Sequence, residues 1–210
     1  MPEYPVWLFD FDGTLVDSEE LILDSFRYAS RFVLGEAPPD ETLRAGVGTP
    51  LYTQARTLAG ERAEEFVQVY VAYNRSRHAD LLGSYEGVTE MLWRLRDAGK
   101  RLGLVTSKQR ASVELAFQTV PYEPAFEVIV TVEDTEYHKP EPEPILLALQ
   151  RLGVGPDAAI YVGDSPYDLL AARAAGVASG AALWGMHSPD TLLELWPDHV
   201  FETPDQVAVE

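Results

Sequence analysis

The chain has no cysteine, so disulfides and thiolate chemistry are both excluded. It contains no run of about 18 consecutive apolar residues, so no membrane-spanning helix is expected. Basic residues are scarce, 16 against 34 Asp and Glu, for a formal net charge of −18 at pH 7. Nucleic acid and anionic membrane surfaces both need a basic face, and neither is an expected partner. A small phosphorylated molecule stays admissible, because a metal ion and one lysine can reverse the sign of a local field. The opening MPEYPVWLFD lacks the basic start and apolar run of a signal peptide, which makes a cytoplasmic location the expectation. Internal repeats and low-complexity tracts are also lacking. What the chain does have is 210 residues, 46% of them hydrophobic. That suffices for one α/β domain with a sizeable insertion and excludes global disorder.

The stretch from Val6 to Leu15, VWLFDFDGTL, organises the rest. Val6, Trp7, Leu8 and Phe9 read as a buried strand that stops at an acid, Asp10. Asp12 follows two residues later, then Gly13 and Thr14. In a chain still nearly extended, residues i and i+2 point the same way, so Asp10 and Asp12 can face one pocket while Phe11 packs away from it. Gly13 permits a sharp turn or a close backbone approach. The crevice at the carboxyl ends of strands is where open α/β sheets bind ligands. Two like charges this close cost free energy unless they share a proton or hold a divalent cation. The competing reading is a plain turn, since Asp and Gly are ordinary turn formers after a strand.

From Leu15 to about Leu82 the pattern is helical, with no convincing strand. Leu21, Ile22, Ser25, Phe26, Ala29, Phe32 and Val33 repeat at helical spacing behind an N-cap candidate at Asp17 or Ser18. EAPPDET breaks that helix, and Pro39-Asp40-Glu41 suits the start of another. GVGTP, Gly46 to Pro50, is a loop signal, and Leu51 to Leu58 and Ala63 to His78 read as further helices. From Gly83 helices alternate with strands. A helix over Glu86 to Ala98 is stopped by Gly99, and a strand follows at Arg101 to Val105. Next come a helix at Ala111 to Val120, a strand at Glu127 to Thr131, and a helix begun among Pro140, Pro142 and Pro144 that runs to about Leu152. AAIYVG is a strand ending at Asp164, Leu169 to Ala175 is helical, Val177 to Trp184 is a strand, and FETPDQVAVE closes with a helical turn. This alternation predicts an α/β fold, a Rossmann-like and mostly parallel sheet with helices on both faces, plus an inserted α-helical unit. The expected division is 1–14 with 83–210 for the core and 15–82 for the insertion.

Three later positions carry chemistry-bearing residues. Thr106 and Ser107 follow a strand in LVTSK, where hydroxyls and loop N–H groups can donate to phosphate oxygens, although such a pair also serves as a helix N-cap. Lys139 in YHKPEPEP has a backbone fixed by Pro140; a lone lysine is ordinarily a solvated charge, but the acids elsewhere call for a cation. His138 beside it has no second ligand to pair with. In YVGDSPYD, Asp164 ends a strand as Asp10 does, and Asp168 falls in the first turn of a helix, where the dipole alone would justify an acid.

DFDGTLVDS, LVTSK, YHKP and YVGDSPYD, in that order and each tied to a predicted strand, resemble the four signatures of the haloacid dehalogenase-like hydrolases. That superfamily consists mainly of Mg-dependent phosphatases with an aspartate nucleophile. The resemblance covers essentially the whole chain. The helical insertion resembles, by character more than by residues, the small cap domain of one branch, and GVASGAALWGM is similar to the stretch after the fourth motif in phosphoglycolate-phosphatase-like members. The resemblance implies Asp10 as nucleophile, forming an aspartyl-phosphate, and Asp12 as general acid and base. It implies Thr106, Ser107 and Lys139 on the phosphoryl oxygens. Mg²⁺ would be held by the Asp10 and Asp164 carboxylates and the Asp12 main-chain carbonyl, with Asp168 in support.

The implied substrate is a small phosphorylated metabolite, selected by the cap around Arg44 to Pro50, with Arg44 and Thr49 as the named positions. A phosphoglycolate-like phosphomonoester is the leading expectation. Inorganic pyrophosphate is the alternative, because Tyr73 to Leu149, with VTSKQR and VEDTEYHKPEPEP, also looks similar to a bacterial pyrophosphatase of this branch. A sugar-phosphate mutase would share every motif. A dehalogenase would need neither Asp12 nor a metal, and a non-enzymatic binding protein on this fold would be expected to have lost a motif acid. Oligomeric state is not readable from the sequence.

Overall fold

The structure is a computed structural model that describes residues 4–207. In chain order its elements are β1 (Val6–Phe9), β2 (Val16–Asp17), α1 (Glu19–Leu34), α2 (Asp40–Arg44), α3 (Leu51–Ala59), α4 (Ala63–Leu81), β3 (Gly83–Ser84) and α5 (Val88–Asp97). There follow β4 (Arg101–Val105), α6 (Arg110–Phe117), β5 (Val128–Val130), α7 (Glu143–Leu152), β6 (Ala159–Gly163), α8 (Pro166–Ala175), β7 (Ala178–Ala182), α9 (Pro189–Leu193) and β8 (His199–Phe201).

Six strands form one sheet in the order β5-β4-β1-β6-β7-β8, and every neighbouring pair is parallel. The continuous apolar runs follow from burial on both faces. Trp7 and Phe9 of β1 join Leu102, Leu104, Ile160 and Val162 under α5 and α6, which contribute Met91, Leu92, Leu95 and Val113. Val6 and Leu8 point the other way, with Val105, Ala159 and Tyr161, toward Ile145, Ala148 and Leu149 of α7 and Ala171, Ala172 and Ala175 of α8. The Rossmann-like α/β sheet with helices on both faces is therefore what forms. β1 lies between β4 and β6, so the strand order reverses on either side of it, and the crevice beyond its carboxyl end is the ligand position of such sheets.

Helices α1 to α4 pack as one unit around Ile22, Phe26, Val33, Leu43, Ala55, Phe66 and Tyr70. Phe26 meets Phe66 and Tyr70 with ring centroids 6.0 and 4.7 Å apart. α1 ends at Gly35 in the left-handed conformation, its N–H bonded to the Arg31 carbonyl. Phe32 does not share the apolar stripe expected of it: the buried face runs through Phe26, Ala29 and Val33, and Phe32 is 63% exposed. The chain leaves and re-enters the sheet layer through β2 and β3, which pair antiparallel, Val16 with Ser84 and Asp17 with Gly83. No strand was expected between Leu15 and about Leu82, nor at Gly83–Ser84, because a two-residue strand leaves no period to read. β8 and α9 were likewise not expected. The closing turn forms at Pro204–Gln206, and residues 208–210 lie outside the described residues. Among the described residues no helix is long and apolar enough to cross a membrane.

Candidate active site

Parallel neighbours end at the same edge, so Asp10 after β1, Thr106 after β4 and Asp164 after β6 emerge side by side. The sheet ladder fixes the first two beyond the strand ends: the Asp10 N–H donates to the Val162 carbonyl and the Thr106 N–H to the Val130 carbonyl, each at 2.9 Å. Asp10, Thr106, Lys139, Asp164 and Asp168 are all buried, none more than 4% exposed.

Lys139 is the hub. Its Nζ stands 2.8 Å from Asp10 Oδ1 and 2.6 Å from Asp168 Oδ1, and donates to the Tyr161 hydroxyl at 3.1 Å. Asp168 Oδ2 accepts from the Ser165 N–H at 3.0 Å and from the Ser165 hydroxyl at 2.5 Å, a capping box at the start of α8. Asp168 thus serves its helix end and holds Lys139 at the same time. Asp164 accepts from the Thr14 hydroxyl at 3.1 Å and the Met186 N–H at 2.8 Å, with His187 Nδ1 4.0 Å away, beyond a hydrogen bond. The Asp12 carboxylate is gripped from two sides, by the Ser18 hydroxyl at 2.7 Å and by Lys108 Nζ at 2.7 and 2.9 Å. Ser18 does occupy the N-cap position of α1, yet it makes no capping hydrogen bond because its hydroxyl is turned to Asp12.

Burial, reinforced by Asp168 and Asp164 and opposed by Lys139, holds the Asp10 carboxyl well above the usual carboxylate range. Burial also raises Asp164, against the pull of His187 and the Met186 N–H. Burial alone would lower Lys139, but Asp10 and Asp168 override it and hold the ammonium above the ordinary lysine range.

Carboxylate oxygens of Asp10, Asp164 and Asp168 lie within 4.8 Å of one another. Each Asp168 oxygen already has two hydrogen-bond partners, Lys139 and Tyr161 on Oδ1 and the Ser165 N–H and hydroxyl on Oδ2, whereas each Asp164 oxygen accepts one, which leaves Asp10 and Asp164 to face a cation. Asp10 Oδ1 is buried without a hydrogen bond, since its contact with Lys139 lacks the angle for one. Two glycines leave room around Asp164: a Cβ on Gly13 would lie 2.2 Å from Asp164 Oδ2, and one on Gly185 would lie 2.2 Å from Asp164 Cβ. Buried, all-oxygen, anionic ligands of this kind fit a hard divalent cation such as Mg²⁺.

A cavity of about 210 Å³ opens beside Asp10 and Asp12, walled on one side by Thr106, Ser107 and Lys108 and on the other by α1, α4 and the loop at Val47 to Pro50. Thr49 lines it, with its hydroxyl donating to the Gly46 carbonyl at 2.8 Å. Arg44 is not among the lining residues. Its guanidinium is bound to Glu19, at 2.5 and 2.9 Å, which draws it off the cavity, so the structure does not bring the two named cap positions together. Neither Thr106 nor Ser107 caps α6, whose N-cap is Gln109. Ser107 instead donates to the Gly48 carbonyl at 2.8 Å.

That contact docks the loop, and a glycine is required there. Gly48 has φ +103°, and a Cβ on it would stand 2.7 Å from Ser165 Oγ and 3.0 Å from Tyr167 Cδ2. Tyr167 also donates to the Ala45 carbonyl at 3.2 Å. Gly48→Ala should therefore lift the loop rather than unfold the chain, at a local cost of about 1–2 kcal/mol for the left-handed backbone alone. Amide hydrogen exchange across residues 45–50 should accelerate while the melting temperature moves little; unchanged exchange would refute the docking argument.

Lys108, Thr14, Ser18, Tyr161, Ser165 and His187 join the site without having been expected there, Ser18 being expected only as an N-cap. Lys108 stood in plain view within LVTSK, and Thr14 beside Gly13. Nothing in the sequence pointed to Tyr161, a tyrosine inside an apolar strand, or to the Met186 N–H.

Residues 7–182 match the haloacid dehalogenase-like hydrolases, and the chain belongs to that family of enzymes. Among its relatives, the pyrophosphatase PpaX of Bacillus velezensis is 36% identical over 196 residues, covering 93% of this chain and 90% of that protein. PpaX of Bacillus pumilus is 35% identical with the same coverage of both. Of solved structures, a provisionally named phosphoglycolate phosphatase from Lactobacillus plantarum superposes with a TM-score of 0.88 at 29% identity, covering 98% of each chain. A haloacid dehalogenase-like family hydrolase from Streptococcus pneumoniae does so with a TM-score of 0.86 at 28% identity, covering 99% of this chain and 98% of that one.

Proposed function

We propose that this chain is a Mg²⁺-dependent phosphatase that hydrolyses a small phosphorylated metabolite through an aspartyl-phosphate on Asp10. The observation that carries the reading is the buried set of Asp10, Asp164 and Lys139 at one sheet edge, beside a cavity that also reaches Asp12 and Thr106. Asp10 attacks phosphorus, and the bond to the leaving oxygen breaks. Asp12 delivers a proton to that oxygen and later takes one from the water that hydrolyses the acyl phosphate. The Ser18 and Lys108 contacts hold its carboxylate in place for both transfers. Thr106, the backbone N–H of Ser107 (its hydroxyl being given to Gly48) and Lys139 hold the phosphoryl oxygens, and positioning of this kind is most of what phosphoryl transfer requires. Bound to the Asp10 and Asp164 carboxylates and the Asp12 main-chain carbonyl, with Asp168 in support through Lys139, Mg²⁺ would neutralise charge on the phosphoryl oxygens. In this reading residues 15–82 act as a cap that excludes bulk water from a catalytic core of 1–14 and 83–210, in a cytoplasmic enzyme.

A phosphoglycolate-like monoester remains the leading substrate. The names of the PpaX relatives favour inorganic pyrophosphate as the second reading. A panel of both, with sugar phosphates and p-nitrophenyl phosphate, tests the proposal. Excess chelator should abolish turnover and Mg²⁺ restore it, and Mg²⁺ at 100 times its Kd should stabilise the fold by about 2.7 kcal/mol. Full activity in chelator with no bound metal would sink the reading. Phosphate recovered on a second sugar instead of in water would identify a mutase.

A further inference from the structure

Among the described residues, three arginine side chains make no hydrogen bond or ion pair: Arg31, Arg56 and Arg75. Of these only Arg75 lines the cavity beside Asp10. The other cation there, Lys108, is already engaged by both oxygens of Asp12. Arg75 also belongs to a continuous face. Val67, Tyr70, Val71, Asn74 and Arg75 all line the cavity from α4, at the i, i+3, i+4, i+7 and i+8 spacing of one helix side. Along that stripe the wall passes from apolar to amide to guanidinium. In a chain with 34 acids and 16 bases, an arginine at a cavity without a single acid partner keeps its charge available for a ligand.

A guanidinium presents a planar fork that matches a carboxylate or a phosphate with two parallel hydrogen bonds. We infer that Arg75 binds an anionic group on the leaving portion of the substrate. Preferred substrates then carry two anionic groups, a phosphoryl at Asp10 and a carboxylate or second phosphate at Arg75, joined by a short body. Placing the phosphoryl end at Asp10 rests on the function proposed above; the assignment of Arg75 rests on the cavity.

The test compares the full chain with Arg75→Ala and Arg75→Lys in the presence of Mg²⁺. Binding is measured by titration calorimetry with inorganic phosphate, phosphoglycolate and pyrophosphate, on the Asp10→Asn background where the parent turns the ligand over. KM and kcat are measured for phosphoglycolate and pyrophosphate, which carry two anionic groups, and for p-nitrophenyl phosphate, whose leaving body is neutral. Arg75→Ala should weaken binding and raise KM for phosphoglycolate or pyrophosphate by about tenfold or more, with kcat little changed. Inorganic phosphate and p-nitrophenyl phosphate should shift less than about twofold, and Arg75→Lys should recover part of the loss. Whichever of phosphoglycolate and pyrophosphate suffers more identifies the anion that Arg75 reads. Equal losses for all ligands, or none for any, would overturn the inference. Selective loss of phosphoglycolate or pyrophosphate binding without turnover of any substrate would uphold Arg75 and refute the hydrolytic reading instead.

Discussion

Asp10→Asn is expected to yield a folded chain whose turnover falls by about three orders of magnitude or more, a barrier increase of about 4 kcal/mol. The amide is isosteric with the carboxylate, so packing at the end of β1 is undisturbed. It cannot form an acyl phosphate, so the covalent step is lost rather than slowed. Stability should not follow activity down. Burial and two neighbouring acids already disfavour the ionised form of Asp10, so a neutral amide suits the metal-free site at least as well. Melting in chelator should therefore match or exceed the parent, while the stabilisation by Mg²⁺ shrinks. The checks are steady-state hydrolysis of p-nitrophenyl phosphate and thermal melts with and without Mg²⁺. Residual hydrolysis within about tenfold of the parent would remove Asp10 from the nucleophile's role.

Much of this arrangement was legible because the sheet is built from long apolar runs that stop abruptly. β1, β4 and β6 each end at a polar residue, and parallel pairing then guarantees that those residues share an edge. Lys139 was legible for an electrostatic reason, since a cluster of acids needs a cation. Side-chain partners were harder. Ser18 carries every sequence sign of an N-cap, but the tertiary pull of Asp12 outweighs the local one. Lys108 was passed over because its pairing with Asp12 joins residues 96 positions apart, and no period encodes that. The partner of Arg44 was hidden for a related reason. It sits beside the loop in sequence, and Glu19 on α1 claims its charge. The short strands β2, β3 and β8 are set by what lies next to them, not by their own two or three residues.

Lys139→Met should carry the largest stability cost of any single change in the site. The ammonium is buried between Asp10 and Asp168, themselves buried, and a thioether fills similar space without the charge. Removing one partner of a buried ion pair typically costs about 3–5 kcal/mol, because the remaining charge is left uncompensated. For a chain of this size that corresponds to a melting temperature lower by about 6–20 °C. The deficit should depend on pH in a definite sense. A carboxyl whose folded pKa is raised, as for Asp10, supports the folded state below the ordinary carboxylate range. That support is withdrawn as pH rises through the raised value. Lys139 in the parent stays charged throughout, because its own pKa is held above the ordinary lysine range, so the parent keeps its compensating cation. Without it the raised carboxyl is pushed further up, and the loss of stability on moving from pH 5 to pH 8 should be greater in the variant. Melts in chelator at those two values measure it. Adding Asp10→Asn to Lys139→Met should restore more of the stability at pH 8 than at pH 5, since the charge it removes is the more fully present the higher the pH. A deficit equal at both pH values and untouched by the second substitution would mean that Lys139 fills space there and does not balance the acids.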